Sequence, residues 1–264
     1  MAQQAIQKPK APVSSKIRFT VIFLILLALY VIAYRGTDFA LGDLISGLPR
    51  IGTMLSQLWP PDFNYFVDIL TPMLQTLQIA ILGTTFGALF AIPFILLASR
   101  NVFQSRWVTG IARMVLNFVR TIPDMLLAGL FVAVVGIGPL AGMLAMVVFS
   151  FGIITKLAYE SVEAIDPGPL EAMTAVGANK WQFISFAVVP QALPSFVAYI
   201  LYTFEICVRA SAILGLVGAG GIGMHLQIAL DTFQYQHVAS IILFTLVVVI
   251  LIDTLSTYVR EKLL

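Results

Sequence analysis

Charge is what this sequence has least of. Only 11% of its 264 residues are Asp, Glu, Lys or Arg, whereas 59% are hydrophobic. Soluble domains carry about 25% charged residues, so a chain this poor in charge cannot cover a globule with polar surface. The composition therefore indicates an integral membrane protein whose surroundings include the lipid bilayer.

Cysteine, histidine and phosphate-binding motifs are also scarce. The single cysteine, Cys207, lies in an apolar run, which excludes a disulfide framework and a cysteine metal site. The histidines, His225 and His237, have no metal-ligand spacing and no accompanying acid or nucleophile pattern. No G-x-x-x-x-G-K-[ST] phosphate loop is present, so we expect no ATP hydrolysis by this chain and no cofactor. The few basic residues are scattered and form no nucleic-acid patch.

Six apolar segments are candidates for crossing a bilayer as helices, which takes about 20 residues each. We therefore predict an all-α membrane protein with one transmembrane domain, residues 18–264, after a disordered tail, residues 1–17. Lysines before the first segment would suit a signal peptide, but no small-x-small cleavage site follows, which favours a retained helix. The predicted spans are 19–34, 76–99, 108–135, 139–157, 191–217 and 238–258.

Lysine and arginine are unevenly distributed between the two sets of loops. Most belong to the N-terminal tail, the connection between spans two and three, the flanks of segment 160–190, and the C-terminus. The positive-inside rule therefore predicts that both termini and segment 160–190 are cytoplasmic. On the other side, leucine and isoleucine recur at helical spacing between residues 36 and 68. That pattern predicts an external amphipathic helix, for which interfacial anchoring is the simplest role.

The segment EAMTAVGANKWQFISFAVVPQALP, residues 171–194, is a polar, glycine-broken stretch between apolar runs. Asp166 or Gly168 can cap a short helix there, and Gly177 supplies the left-handed residue that ends it. A second short helix follows, and we expect Pro190 to stop it. A structured loop of this kind, with no chemistry of its own, predicts docking to a partner protein.

This segment resembles the EAA loop of permease subunits from bacterial ABC importers, which lays short coupling helices into a groove on an ATPase. The resemblance agrees with the predicted topology, because an ATPase partner would have to be cytoplasmic. It implies five ATPase-coupling residues: Glu171, Ala172, Gly177, Asn179 and Pro190.

Two pairs of opposite charges lie four residues apart inside the predicted spans: Arg120 with Asp124, and Glu205 with Arg209. Ionisable groups within a membrane span cost a few kcal/mol each, which makes them functional hypotheses. Each pair can also neutralise itself on one helix face. We interpret Arg120 as part of a structural pair near the cytoplasmic interface, whereas for Arg209 both a structural ion pair and an anion path remain open.

A glycine-rich run follows Arg209 and ends the fifth span. It lacks the strand–turn–helix context of a dinucleotide site. Close helix packing is the commoner explanation of such glycines, and a cavity-lining backbone that offers N–H groups to an oxyanion is the alternative. The candidate translocation path consists of Arg209, Ser211, Gly218, Gly220 and Gly221.

Three stretches together, Arg120–Gly142, the EAA-like loop and Arg209–Ala239, resemble the phosphonate-type permeases of ABC importers. The glycine run alone is also similar to methionine-importer permeases. The resemblance implies a type I ABC importer permease fold, a homodimeric permease pair, two cytoplasmic ATP-binding subunits and an extracytoplasmic phosphonate-type binding protein. It places the chain in a bacterial inner membrane. The implied cargo is a small oxyanion (phosphonate, phosphite or a phosphate ester), with a different small solute such as methionine as the alternative.

Two other classes compete with a transporter subunit. An intramembrane enzyme would need a nucleophile–base or metal constellation inside the spans, and the sequence offers no such pattern. A passive channel would not need a docking loop between its spans. Both are therefore weaker explanations than an importer permease.

Overall fold

A computed structural model describes residues 13–37 and 41–263, and the regular secondary structure in these ranges is helical. Five helices are long and apolar enough to cross a membrane, and a sharply bent helix pair makes six if it counts as one span. The predicted all-α membrane fold with about six spans is therefore confirmed.

The helices follow one another with short connections, and two of them are joined by a π-helical turn, Ile184–Val188. A 3₁₀ turn, Gly215–Val217, precedes the glycine turn. The helices are α1 Val13–Gly36, α2 Leu41–Leu58, α3 Tyr65–Ala98, α4 Arg106–Thr121, α5 Asp124–Val135, α6 Pro139–Glu163, α7 Pro167–Ala175, α8 Lys180–Phe183, α9 Val189–Leu214, α10 Ile222–Asp231 and α11 Tyr235–Leu263.

The chain forms two compact units that divide between Ser56 and Gln57. The first contains α1 and most of α2. Helix α1 begins at Val13, inside the predicted tail 1–17, of which residues 1–12 lie outside the described part of the chain. The predicted amphipathic helix is present as α2, and its place at the outer interface remains a prediction.

Close packing of α3 on α6 forms the centre of the second unit. Gly83 lies against the Met146 side chain and Gly87 against Ser150, so that neither position has room for a side chain. The Ser150 hydroxyl donates a hydrogen bond to the Gly83 carbonyl (2.8 Å). Small residues at such contacts let helix backbones approach closely, which is how helices associate in a bilayer.

Helix α3 is longer than the predicted span 76–99, because it begins at Tyr65. Pro72, near its beginning, lowers the local helix propensity without ending the helix. The hydroxyl of Thr76 donates a hydrogen bond to the Pro72 carbonyl (3.0 Å) in the next turn.

The predicted third span, 108–135, is not one helix. It consists of α4 and α5, which meet at an angle of 85°. Pro123 disfavours the helical conformation for the residue before it, and Ile122 is indeed extended, with ψ of 119°. The chain therefore turns at Ile122–Pro123, and the residues on its two sides do not share a helix face.

The predicted stop at Pro190 is wrong. The chain continues from α8 through the π-helical turn into α9, and Pro190 occupies the first turn of that helix. A proline at this position costs little, because its missing N–H is one that a helix beginning leaves free and its φ suits a helix. The predicted fifth span, 191–217, accordingly begins earlier.

Two remaining predicted spans fall inside longer helices, 139–157 in α6 and 238–258 in α11. Helix α10 was not predicted. Its apolar residues Ile222, Leu226 and Ala229 recur at helical spacing, so the signal was present. It places His225 on a short helix and His237 in the first turn of α11, rather than in an open loop.

The contact between α3 and α6 leads to a stability prediction. Alanine is normally favoured over glycine in a helix by about 1 kcal/mol, yet a Cβ at Gly83 would collide with the Met146 Cβ. We expect Gly83→Ala to lower the melting temperature of the detergent-solubilised protein. Gly110→Ala is the matched control, because nothing lies within 4 Å of a Cβ there. Equal stability of the two variants would show that this contact does not hold the helices together.

Candidate functional site

The first helix of the EAA-like loop is closed at both ends by its own residues. The Asp166 carboxylate accepts a hydrogen bond from the Gly168 N–H (2.9 Å) at the beginning of α7. At the other end Gly177 has φ of +71°, its N–H donates to Thr174, and the next N–H donates to Met173. These two hydrogen bonds are those of a Schellman motif, so Gly177 ends α7 as predicted.

The second helix begins immediately after this turn. The Asn179 side chain accepts a hydrogen bond from the Gln182 N–H, and the Gln182 side chain accepts one from the Asn179 N–H, both at 2.9 Å. This reciprocal pair is a capping box. The two short helices are therefore each fixed by local hydrogen bonds, and the predicted helix–glycine–helix arrangement is confirmed.

Contacts with neighbouring helices attach this loop to the body of the chain. Gln191 accepts a hydrogen bond from the Asp166 N–H (3.1 Å), which joins the two ends of the loop. Leu170 and Phe183 pack against a buried cluster of α3, α4 and α6 residues. The Lys180 ammonium lies 4.1 Å from the centre of the Phe103 ring, in the connection between α3 and α4. The loop thus moves with the helices beneath it.

The outward face of the loop combines polar and large apolar side chains. Glu171 and Ala172 are exposed and lie on α7. Val176, Trp181 and Phe186 are 71–76% exposed. Exposed large apolar residues mark a surface that contacts another protein or the membrane.

A polar cluster just before this loop was missed in the sequence. Glu163, at the end of α6, accepts hydrogen bonds from the Arg113 guanidinium (2.6 Å) and the Arg100 N–H (2.7 Å). Arg113 also donates to the Ala98 carbonyl at the end of α3. Glu163 is 50 or more positions from both arginines in sequence, so no local pattern indicates the pairing. The cluster connects α3, α4 and α6 at the base of the loop.

The predicted ion pair between Arg120 and Asp124 is not formed. The chain turns between them at Ile122–Pro123, so the spacing of four residues no longer places them on one helix face. Both side chains instead line a cavity of about 330 Å³ at the bend. Within the described ranges, Arg120 has neither a salt bridge nor a hydrogen bond through its side chain.

The predicted pair of Glu205 and Arg209 is present on α9. Glu205 is nearly buried, and its second oxygen accepts a hydrogen bond from Arg260 on α11 (3.2 Å). Arg209 also lies 3.9 Å from Asp253, an acid that looked isolated in the sequence. The charges therefore form a four-residue network between α9 and α11, with the Glu205 carboxylate held between two guanidinium groups.

The glycine run is a tightly packed turn. The Gly221 N–H donates to the Gln75 side chain (2.9 Å) and the Ile222 N–H to the Thr76 hydroxyl (2.8 Å). Gly218 accepts a hydrogen bond from the Gly138 N–H, and Gly220 lies against Pro139. These contacts support the packing interpretation of the glycines. Ser211, by contrast, is 3% exposed and its hydroxyl has no hydrogen-bond partner among the described residues.

His237 is not simply solvated, as a lone histidine would be. Its ring stacks on Tyr65 with centroids 4.0 Å apart, and its Nε2 lies 3.4 Å from the Asp62 carboxylate. It thereby ties the beginning of α11 to that of α3. Among the described residues, no group of three or more His, Cys, Asp or Glu side chains is arranged to hold a metal ion.

Several membrane spans and a rigid two-helix loop inserted between two of them define a transport permease. Residues 83–264 match the family described as the binding-protein-dependent transport system inner membrane component, and the chain belongs to this family. It is the membrane component of an ABC importer, a multi-pass inner-membrane protein, and in such importers ATP is hydrolysed by a separate subunit.

Two named relatives are also transport permeases. The chain is 39% identical over 218 residues to a phosphite transport system permease protein of Stutzerimonas stutzeri, covering 83% of this chain and 79% of the relative. It is 38% identical over 216 residues to a phosphate-import permease protein of Mycolicibacterium smegmatis, covering 81% of this chain and 40% of that relative.

A solved structure agrees with the fold. An inward-facing form of a methionine ABC transporter matches with a TM-score of 0.68 at 21% identity, covering 77% of this chain and 99% of the matched chain. The predicted type I importer permease fold is thus confirmed.

The network between α9 and α11 provides a test of its own. Glu205→Gln removes the nearly buried charge that pairs with both Arg209 and Arg260, so that two guanidinium groups lose one shared carboxylate. We therefore expect a clearly lowered melting temperature of the detergent-solubilised protein. The matched control is Asp253→Asn, the same change at a half-exposed site, where an ion pair contributes about 1 kcal/mol or less. Equal effects of the two variants would contradict the central role of Glu205.

Proposed function

We propose that this chain is the permease subunit of an ATP-driven importer for a small phosphorus oxyanion: a phosphonate, phosphite or a phosphate ester. The observation that carries the proposal is the similarity to a phosphite permease over most of both chains. The phosphate-import relative supports the same class of cargo. The methionine transporter supports only the fold, because its identity to this chain is low.

The complete importer, on this proposal, contains two copies of the permease, two cytoplasmic ATP-binding subunits and an extracytoplasmic phosphonate-type binding protein. The family description supports a binding protein and an inner-membrane location. The distribution of lysine and arginine supports a topology with both termini and the loop 160–190 in the cytoplasm. The two-helix loop is then on the side where an ATPase must dock.

Coupling to the ATPase is assigned to the EAA-like loop. Glu171 and Ala172 offer their exposed side chains to the partner, and Gly177 and Asn179 set the angle between the two short helices. Pro190 contributes by beginning α9. Exposed Trp181 supports the assignment, because aromatic side chains are enriched in protein interfaces.

The translocation path is assigned to the region around Arg209 and Ser211. Arg209 is about half exposed although it is paired with Glu205, and the unpartnered hydroxyl of Ser211 lies two residues further along α9. A guanidinium suits tetrahedral oxyanions through its fork of donors. Gly218, Gly220 and Gly221 then shape the external end of this path through their close packing.

The coupling loop is tested at its left-handed glycine. Gly177→Val opposes the φ of +71° at a cost of about 1–2 kcal/mol, although no neighbouring atom obstructs a Cβ. We expect normal membrane insertion but weaker retention of the ATPase on the purified permease, and reduced uptake. Ala178→Val is the matched control, because it adds the same side chain at the next residue, where φ is not positive. Full ATPase binding and full transport by Gly177→Val would remove the loop from the coupling mechanism.

The cargo is tested through the binding protein that delivers it. Calorimetric titration of this partner with methylphosphonate, phosphite, phosphate and methionine should give the tightest binding for one of the phosphorus oxyanions. Uptake of the same compound by proteoliposomes that contain the complete transporter should require ATP and the binding protein. Tight binding and uptake of methionine would make the chain an amino-acid permease and reject the phosphorus oxyanion.

A further inference from the structure

The bend between α4 and α5 places a cationic side chain against the middle of a neighbouring helix. The Arg120 stem lies against Gly152, where an added Cβ would be 2.9 Å from the Arg120 Cγ. Gly152 is next to the midpoint of α6, a helix long and apolar enough to span the bilayer. Arg120 thus lies beside a spanning helix, away from both of its ends, and its place near the cytoplasmic interface remains a prediction.

No carboxylate in the described ranges compensates this charge by a salt bridge. Arg209, by contrast, is paired with Glu205 and approaches Asp253. A cation beside a spanning helix is costly when it has no such partner, and residues of this kind mark ion or substrate pathways. An anion therefore gains more electrostatic energy at Arg120 than at Arg209, where it would first have to displace a carboxylate.

The space in front of Arg120 has the size of a small-ligand site. The cavity measures about 330 Å³, and small-molecule sites measure roughly 300–1,000 Å³. Its wall combines apolar residues, such as Leu127 and Phe149, with two charged ones, Arg120 and Asp124. Substrate sites at broken spanning helices near the middle of the bilayer are a recurrent solution in transporters.

We infer that the cavity at the α4–α5 bend is the oxyanion-binding site of this permease, with Arg120 as the residue that binds the phosphoryl oxygens. The assignment rests on the proposed function. Because Gly152 has no side chain, the Arg120 stem can lie directly against α6. Asp124 lines the same cavity but forms no salt bridge with Arg120. One of its oxygens already accepts the Met125 N–H, and the other can accept the P–OH of a monoanionic phosphorus acid.

The test uses the complete transporter, with its ATPase and binding protein, in proteoliposomes supplied with radiolabelled phosphite or methylphosphonate. Arg120→Gln removes the charge-assisted hydrogen bonds, so we expect uptake to fall about tenfold or more. Arg120→Lys keeps the positive charge but lacks the forked donors of the guanidinium, and it should retain an intermediate rate of uptake. Arg106→Gln, at the other end of α4, is the matched control and should transport normally. Asp124→Asn keeps an accepting oxygen and should have a smaller effect than Arg120→Gln.

A cysteine at position 120 distinguishes the loss of the positive charge from damage to the structure. Arg120→Cys, in a Cys207→Ala background, should be inactive and should regain uptake after reaction with aminoethyl methanethiosulfonate, which restores a positive charge. The anionic sulfonatoethyl reagent should not restore it. Normal uptake by Arg120→Gln, or equal rescue by both reagents, would overturn the assignment while the proposed function stands. The assignment would also be overturned if none of the Arg120 variants assembled, not even Arg120→Lys. If the wild type imports only an uncharged or zwitterionic solute, the proposed function itself fails.

Discussion

Helices in a bilayer gain no hydrophobic energy by packing together, because the lipid tails around them are equally apolar. They must therefore approach closely enough for dispersion and backbone contacts to hold them together. In this chain, that requirement is met by the contact of Gly83 and Gly87 on α3 with α6. The glycine turn before α10 extends the same principle, because its N–H groups donate to Gln75 and Thr76 of α3. The EAA-like loop follows directly from α6. Its position and that of the glycine turn therefore depend on one close helix pair.

The charged residues follow two different arrangements. Between α9 and α11 each charge has an opposite neighbour, and the buried carboxylate of Glu205 has two. At Arg209 a ligand anion would therefore compete with carboxylates. At the α4–α5 bend, Arg120 forms no salt bridge among the described residues and lines a cavity. The difference separates an arginine that an anion reaches by competition from one that has no paired carboxylate to displace.

Local features of the fold were predictable from the sequence, and contacts between distant residues were not. Gly177 ends α7 as predicted, because a left-handed cap depends on a few adjacent residues. Pro123 also indicates a bend locally. The long apolar run around it nevertheless predicts one continuous helix when hydropathy alone is considered. The contact of Arg260 with Glu205 spans 55 residues and needs the packing of α11 on α9. A charge pattern read along one helix cannot reveal it.

The π-helical turn Ile184–Val188 has a geometric consequence for the whole importer. Such a turn holds one residue more than an α-helical turn, and each residue of an α-helix advances the chain by about 100° around its axis. A single-residue deletion there would restore regular α-helix and rotate α8 by roughly that angle relative to α9. The angle at which α8 projects from α9 is thus set by one extra residue, and a permease without this residue would turn a different face of α8 outward.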